Sequence, residues 1–222
     1  MNAATHREFK DRLFGQFARI GKALSSPRRL EIVDLLAQGE RTVEEIAKET
    51  SMSVASASQH LQALKSARMV EARRQGLYMH YRLADEDVFR TWQAVRALAE
   101  SRLSEVDGVV EAYLEDRDAL EAVDVAELME KLTAGSVVVL DVRPEEEYRA
   151  GHIPGALSVP VDALEAALQI LPKDREIVAY CRGPYCVFSD EAVAFLGARG
   201  YRAYRLRQGL PDWRVAGMPV ED

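Results

Sequence analysis

Cys181 and Cys186 are the only thiols in the chain. Two thiols are too few for a disulfide scaffold or a four-thiolate zinc site. In a reducing setting a functional thiol is more often reactive than structural, and the thiolate is the nucleophile in any sulfur chemistry. Cys181 directly follows the apolar run Ile177, Val178, Ala179 and Tyr180, which reads as a buried strand. That places it at the C-terminal edge of a parallel sheet, where α/β domains bind ligands. Loop amides, Arg182 and the N-terminus of a helix expected near Phe188 or Ser189 all favour the thiolate, so the Cys181 pKa is expected to be depressed. Arg182, Gly183 and Tyr185 are the expected sulfur- or anion-binding loop, while Pro184 removes one amide donor from it. Two readings of Cys186 stand. It is a small buried apolar residue, or it is a second thiol that closes with Cys181 as a disulfide or sulfur-bridged pair. A curled five-residue loop can reach the roughly 4.4–6.8 Å between Cα atoms that a disulfide requires.

A second group of residues suits nucleic acid. Ser56, Ser58, Gln59 and His60 lie on a short helix, and Ser and Gln hydrogen-bond base edges. Arg73 and Arg74 sit near the tip of a hairpin, where they suit phosphates or a narrow minor groove. His60 and His80 lack the partners that a metal site needs, so no metal and no cofactor are expected.

These residues need elements to hold them. Phe9, Leu13, Phe17, Ile20 and Leu24 recur at helical spacing. Ser26-Pro27 opens a second helix that Gly39 stops, and Thr42 with Glu45 forms a capping box for a third. Ser53 caps the next helix, residues 54–67. Strands at 69–73 and 77–83 flank Arg74-Gln75-Gly76, and helical periodicity returns from Asp85 to about Leu114. Residues 116–124 are charged and poor in large apolar side chains, which marks a boundary. Beyond it, apolar runs at 137–140, 156–159, 177–180 and 203–206 alternate with helical segments, which argues a parallel-rich α/β domain.

Composition sets the outer bounds. The 222 residues are 48% hydrophobic and 29% charged, as in ordinary globular proteins. The length suits one large domain or two small ones. No apolar run spans a bilayer, and the charged first 24 residues do not read as a secretory signal, so a cytoplasmic protein without a membrane partner is expected. Residues 1–100 carry 16 basic and 13 acidic side chains, and residues 101–222 carry 13 and 23. A basic half on an acidic half suggests two tasks.

Residues 24–36 (LSSPRRLEIVDLL) and 53–64 (SVASASQHLQAL) resemble the entry and recognition helices of the ArsR-type family of winged-helix repressors. The likeness covers about residues 10–95. It implies binding of double-stranded operator DNA by a homodimer that pairs through its first and last helices. The thiols that many relatives use to sense metals are missing from residues 40–46. Base preference does not carry over, because Val54 and Gln59 stand where Gln and Arg are frequent.

From about Val123 to Pro219 the chain resembles the rhodanese family of sulfurtransferases. The landmarks are residues 140–148 (LDVRPEEEY), 151–156 (GHIPGA), 180–183 (YCRG), 209–213 (GLPDW) and 217–220 (GMPV). The resemblance makes Cys181 the catalytic residue, which takes sulfur from a small sulfane-sulfur donor as a persulfide and passes it to a thiol acceptor. It makes Asp141 and Arg143 a structural pair supporting the loop, and His152 a packing residue. The loop departs from the family, since Gly183 comes one place early and Cys186 replaces a terminal cation. This favours a persulfide or polysulfide donor over thiosulfate. Val187 stands where related phosphatases and arsenate reductases carry an arginine, which argues against an oxyanion substrate.

The expected organisation is a mainly α winged helix-turn-helix over residues 1–105, a helix end and linker over 106–122, and an α/β rhodanese-like domain over 123–222. The expected function is regulation of transcription, by repression, with sulfur uptake at Cys181 coupled to DNA binding. Two alternatives stand beside it: an active sulfurtransferase whose DNA-binding half answers another signal, and a non-catalytic rhodanese module.

Overall fold

The computed structural model describes residues 3–114 and 120–222. It separates into two compact units, Met1–Trp92 and Gln93–Asp222. Residues 115–119, within the expected linker, lie outside the described residues.

In the first unit α1 (Ala3–Leu24) and α2 (Pro27–Leu36) precede a short strand, β1 (Arg41–Thr42). Then come α3 (Val43–Glu49), α4 (Val54–Ser66), β2 (Val70–Gln75) and β3 (Tyr78–Leu83). Pro27 starts α2, where a missing N–H costs nothing. The Thr42–Glu45 capping box forms reciprocally, with each side chain bonded to the other's backbone N–H. Ser53 caps α4 by accepting from the Ser56 N–H. The two helices therefore start where local chemistry tells them to, and Ser51 between them turns the chain at positive φ. β2 and β3 form the hairpin, and β1, which has no periodic signature, adds to its edge in the order β1-β3-β2, all antiparallel. Ile32, Val33, Ile46, Leu61 and Leu64 fill one core, which also takes in Val88 from the next helix.

That helix, α5 (Glu86–Arg102), contains the boundary between the units. The sequence periodicity runs unbroken to Leu114, but the helix stops at Arg102 and restarts as α6 (Glu105–Tyr113). Glu105 and Asp107 in the first turn of α6 favour a fresh N-terminus there.

The rest of the second unit runs β4 (Ala122–Val123), α7 (Val125–Thr133), β5 (Val137–Asp141), α8 (Glu145–Arg149) and β6 (Leu157–Ser158). A 3-10 turn (Val161–Ala163) leads into α9 (Leu164–Ala167), followed by β7 (Glu176–Tyr180), α10 (Val187–Gly197), β8 (Ala203–Leu206) and α11 (Leu210–Val215). The strands lie in the order β4-β8-β7-β5-β6 and every pairing is parallel. Strand alternation divides the core. Ile177 and Ala179 of β7 join Val138 and Leu140 of β5 on one face, while Val178 and Tyr180 join Val137 and Val139 on the other. The two apolar runs lack polar alternation because both faces of the sheet are covered.

Candidate functional site

The alternation along β7 decides where the thiol goes. Cys181 continues the face of Ile177 and Ala179 and is 2% exposed, packed in the same apolar cluster. Cys186 is half-buried in that cluster and is the N-cap of α10. The loop between them curls, with the Cys186 N–H donating to the Gly183 carbonyl at 3.1 Å. The two cysteines are joined as a disulfide, with Cα atoms 6.2 Å apart.

Each arginine near this loop faces a carboxylate. Arg182 pairs with Glu147 at 2.5 Å, and Glu147 is fully buried. Arg143 pairs with Asp141 at 2.6 Å, both at 0% exposure, and also donates to the Gly151 carbonyl. Burial lowers the Arg143 pKa, but the hydrogen bond and charge of Asp141 outweigh it, and the net shift is upward. The Tyr180 hydroxyl donates to Asp141 at 2.5 Å and accepts from the Ile153 N–H at 3.1 Å. Burial and the Asp141 charge push that phenol far up, so it stays protonated as a donor. Asp141, Arg143 and Tyr180 therefore brace the ends of β5 and β7, and His152 packs flat on Tyr148 beside them.

The second unit also covers the loop from α5. Arg96 donates to Asp212 at 2.6 Å, Gln93 does so at 2.8 Å, and the Tyr185 hydroxyl donates to Glu100 at 2.6 Å. Asp212 in turn accepts from the Gly209 N–H. Gly209 has no room for a side chain, because a Cβ there would lie 2.1 Å from the Arg182 carbonyl oxygen. The glycine at the head of α11 thus lets its backbone press against the sulfur loop.

Glu147, Tyr180, Asp212, Arg96 and Glu100 escaped the sequence reading. Glu147 stands in a run of three glutamates that look alike until one is buried. Asp212 lies within the 209–213 landmark, but its partners on α5, Gln93 and Arg96, are more than a hundred residues away.

In the first unit, α4 buries Ala57, Leu61 and Leu64. The face opposite them, at helical spacing, presents Ala55, Gln59 and Gln62 outward, all exposed. Gln59 is central to that face, and Gln62 follows it one turn on. Ser56, Ser58 and His60 flank that face and are half-buried, with the Ser56 hydroxyl 3.8 Å from the Met52 sulfur. On the hairpin, Arg74 is exposed and donates to the nearby Gly76 carbonyl. Arg73 is paired with Glu40 at 2.7 Å, and His80 lies 3.3 Å from the same carboxylate. The hydrogen bond from Arg73 holds Glu40 below its ordinary range. No group of three potential metal ligands occurs among the described residues.

A winged helix-turn-helix and a parallel α/β unit with a two-cysteine loop define a two-domain class of regulator. The family described as "Bacterial regulatory protein, arsR family" matches residues 26–72, and "Rhodanese-like domain" matches residues 124–216. The HTH-type transcriptional regulator Rv0324 of Mycobacterium tuberculosis is 48% identical over 213 residues, covering 96% of this chain and 93% of that protein. The chain belongs to this family of ArsR-type transcriptional regulators carrying a C-terminal rhodanese-like domain. The human thiosulfate:glutathione sulfurtransferase is 38% identical over 91 residues, covering 40% of this chain and 77% of that one. The homodimeric winged helix-turn-helix fragment of a possible ArsR-family regulator from Mycobacterium bovis is 54% identical, covering 42% of this chain and 87% of the fragment, with a TM-score of 0.40.

Among the described residues, no helix is long and apolar enough to cross a membrane.

Proposed function

We propose that this regulator represses transcription and responds to sulfane sulfur through Cys181 and Cys186. The observation that carries this reading is that the chain's two thiols share one loop close enough to bond. The Cys181 thiolate attacks the outer sulfur of a persulfide donor R–S–SH, the donor's S–S bond breaks, and R–S⁻ leaves. The Cys186 thiolate then attacks the Cys181 sulfur of the new persulfide, forming the disulfide and expelling HS⁻. Both cysteines are oxidised, and the two electrons leave on sulfide, so no further oxidant is needed. A thiol reductant resets the pair.

The DNA-binding and dimerisation part is residues 1–105, with a linker at 106–122 and the sulfur domain at 123–222. The protein works in the cytoplasm as a homodimer on double-stranded operator DNA. The dimer reading is supported by α1, whose Phe9, Phe14 and Phe17 are all more than half exposed within one chain. Gln59 and its neighbours Ser56, Ser58 and His60 read bases, and Arg73 and Arg74 contact the backbone.

The test is the intact mass of reduced protein after brief exposure to a persulfide donor, with DNA affinity read on the same samples. A gain of one sulfur in Cys186→Ser, loss of two hydrogens in the wild type, and no change in Cys181→Ser are expected. DNA affinity that is the same for reduced and modified protein overturns the coupling. Rapid sulfur turnover with unchanged DNA binding establishes a sulfurtransferase in its place.

A further inference from the structure

The groove beside the sulfur loop carries the wrong charge for an anionic donor. Its volume is about 660 Å³, ample for a small ligand. Val142, Pro144, Val161 and Phe188 form apolar walls, and Glu145 and Asp162 are the charged groups lining it. Val142 follows Asp141, the register partner of Tyr180, and its N–H donates to the Tyr180 carbonyl, so the groove reaches the strand end that Cys181 continues. Glu145 and Asp162 are exposed, and Glu145 has Arg149 as its partner. Among the described residues, no lysine or arginine lines the groove. The guanidinium groups around the loop do not make up the deficit, since Arg182, Arg143 and Arg96 each face a carboxylate that is 4% exposed or less. The N-terminus of α10, whose first turn supplies Phe188 to the groove, favours negative charge, but its effect falls off within that turn.

We propose that this groove selects uncharged or amine-bearing sulfane-sulfur donors and rejects dianionic ones such as thiosulfate. The inference rests on the sulfur-uptake reading above and names its substrate class. An apolar body fits the walls, and an ammonium group finds Glu145 and Asp162 among the lining side chains. The transfer itself is unchanged: the Cys181 thiolate takes the donor's outer sulfur and the rest departs as a thiolate. Clefts lined by one sign of charge raise the local concentration of the opposite ion by roughly 10- to 1000-fold.

Charged alkylating reagents test the groove without requiring sulfur transfer. Reduced full-length protein is treated with bromoethylamine, iodoacetamide or iodoacetate, and alkylation of each cysteine is followed by peptide mass. Relative to free cysteine, the cation-to-anion rate ratio is expected to be at least about tenfold higher at low salt and to collapse in 1 M NaCl, where screening acts within about 3 Å. Asp162→Lys is expected to lower that ratio by a similar factor, and Asp162→Asn to give an intermediate value. A ratio equal to that of free cysteine, or one that Asp162→Lys does not move, overturns the inference. In parallel, cysteamine persulfide and thiosulfate are compared as donors. Faster labelling by the former supports the proposal, and equal or faster labelling by thiosulfate refutes it. If neither labels Cys181 while the alkylation ratio holds, the sulfur-uptake reading fails and the charge selectivity of the groove stands.

Discussion

At the scale of single residues, the sulfur loop is held by charges that are buried in pairs. Glu147 is fully buried against Arg182, whose side chain keeps about a quarter of its exposure. Breaking a buried pair from one side leaves an uncompensated charge costing roughly 3–5 kcal/mol, and partial solvation of Arg182 reduces that. Glu147→Gln is therefore expected to lower stability by about 2 kcal/mol in urea unfolding and to loosen the loop, read as faster reduction of the disulfide. Gly209 makes a second, steric prediction. Since a Cβ would overlap the Arg182 carbonyl, Gly209→Ala must push the loop or α11 aside. Slower disulfide formation with a lower melting temperature is expected, and unchanged values for both would show that the contact is unimportant. Cys181, Asp141 and Arg143 could be singled out in the sequence because each falls in a motif. Glu147 and Asp212 could not, because burial selects one carboxylate from several and burial is a property of the packed chain.

At the scale of elements, the helix starts were legible because capping is local. Thr42 and Glu45 stand three residues apart, and the box follows from that spacing alone. Burial alone would raise the Glu45 pKa, but hydrogen bonds from the Thr42 N–H and hydroxyl outweigh it and bring the carboxyl below its ordinary 4.5. Glu40 is lowered too, chiefly by its hydrogen bond from Arg73. A carboxyl lowered on folding contributes stability that is full above its unfolded pKa and is lost as pH falls through the folded value. Urea resistance of the first unit is expected to decline below about pH 4.5, and Glu45→Gln to flatten that decline. The hairpin gives a DNA prediction with opposite signs at neighbouring sites. Arg74→Ala should weaken binding to all duplexes and reduce the salt slope by about one. Glu40→Gln should spare Arg73 the loss of its ion pair on reaching phosphate and tighten binding to all duplexes, measured by fluorescence anisotropy across a salt series. β1 and the break after Arg102 were not legible. A two-residue strand has no periodicity, and helical spacing continues across the break even though the helix does not.

At the scale of the whole molecule, the two halves were legible from composition and from the change of hydrophobic period, while their communication was not. Repression that responds to sulfur requires DNA affinity to differ between two states of the second unit, by a free energy equal to the coupling. The second unit offers a concrete place to perturb that difference. Tyr185 sits inside the sulfur loop and its hydroxyl bonds Glu100 on α5, the helix that contains the boundary between the units. A hydrogen bond of this kind contributes a net of roughly 0.5–1.5 kcal/mol, or about a 2- to 13-fold change in an equilibrium. If the contact belongs to one state of the loop more than the other, Tyr185→Phe must shrink the ratio of DNA affinities between reduced and disulfide protein by up to that factor. The substitution leaves both cysteines and the exposed face of α4 in place. Disulfide formation by a persulfide donor should therefore proceed as in the wild type, and affinity for DNA in one of the two states should be unchanged. The measurement is a pair of binding isotherms, reduced and oxidised, for wild type and variant at one salt concentration. A ratio that survives intact removes this hydrogen bond from the coupling. A ratio that collapses while sulfur uptake persists separates sensing from response and assigns Tyr185 to the latter.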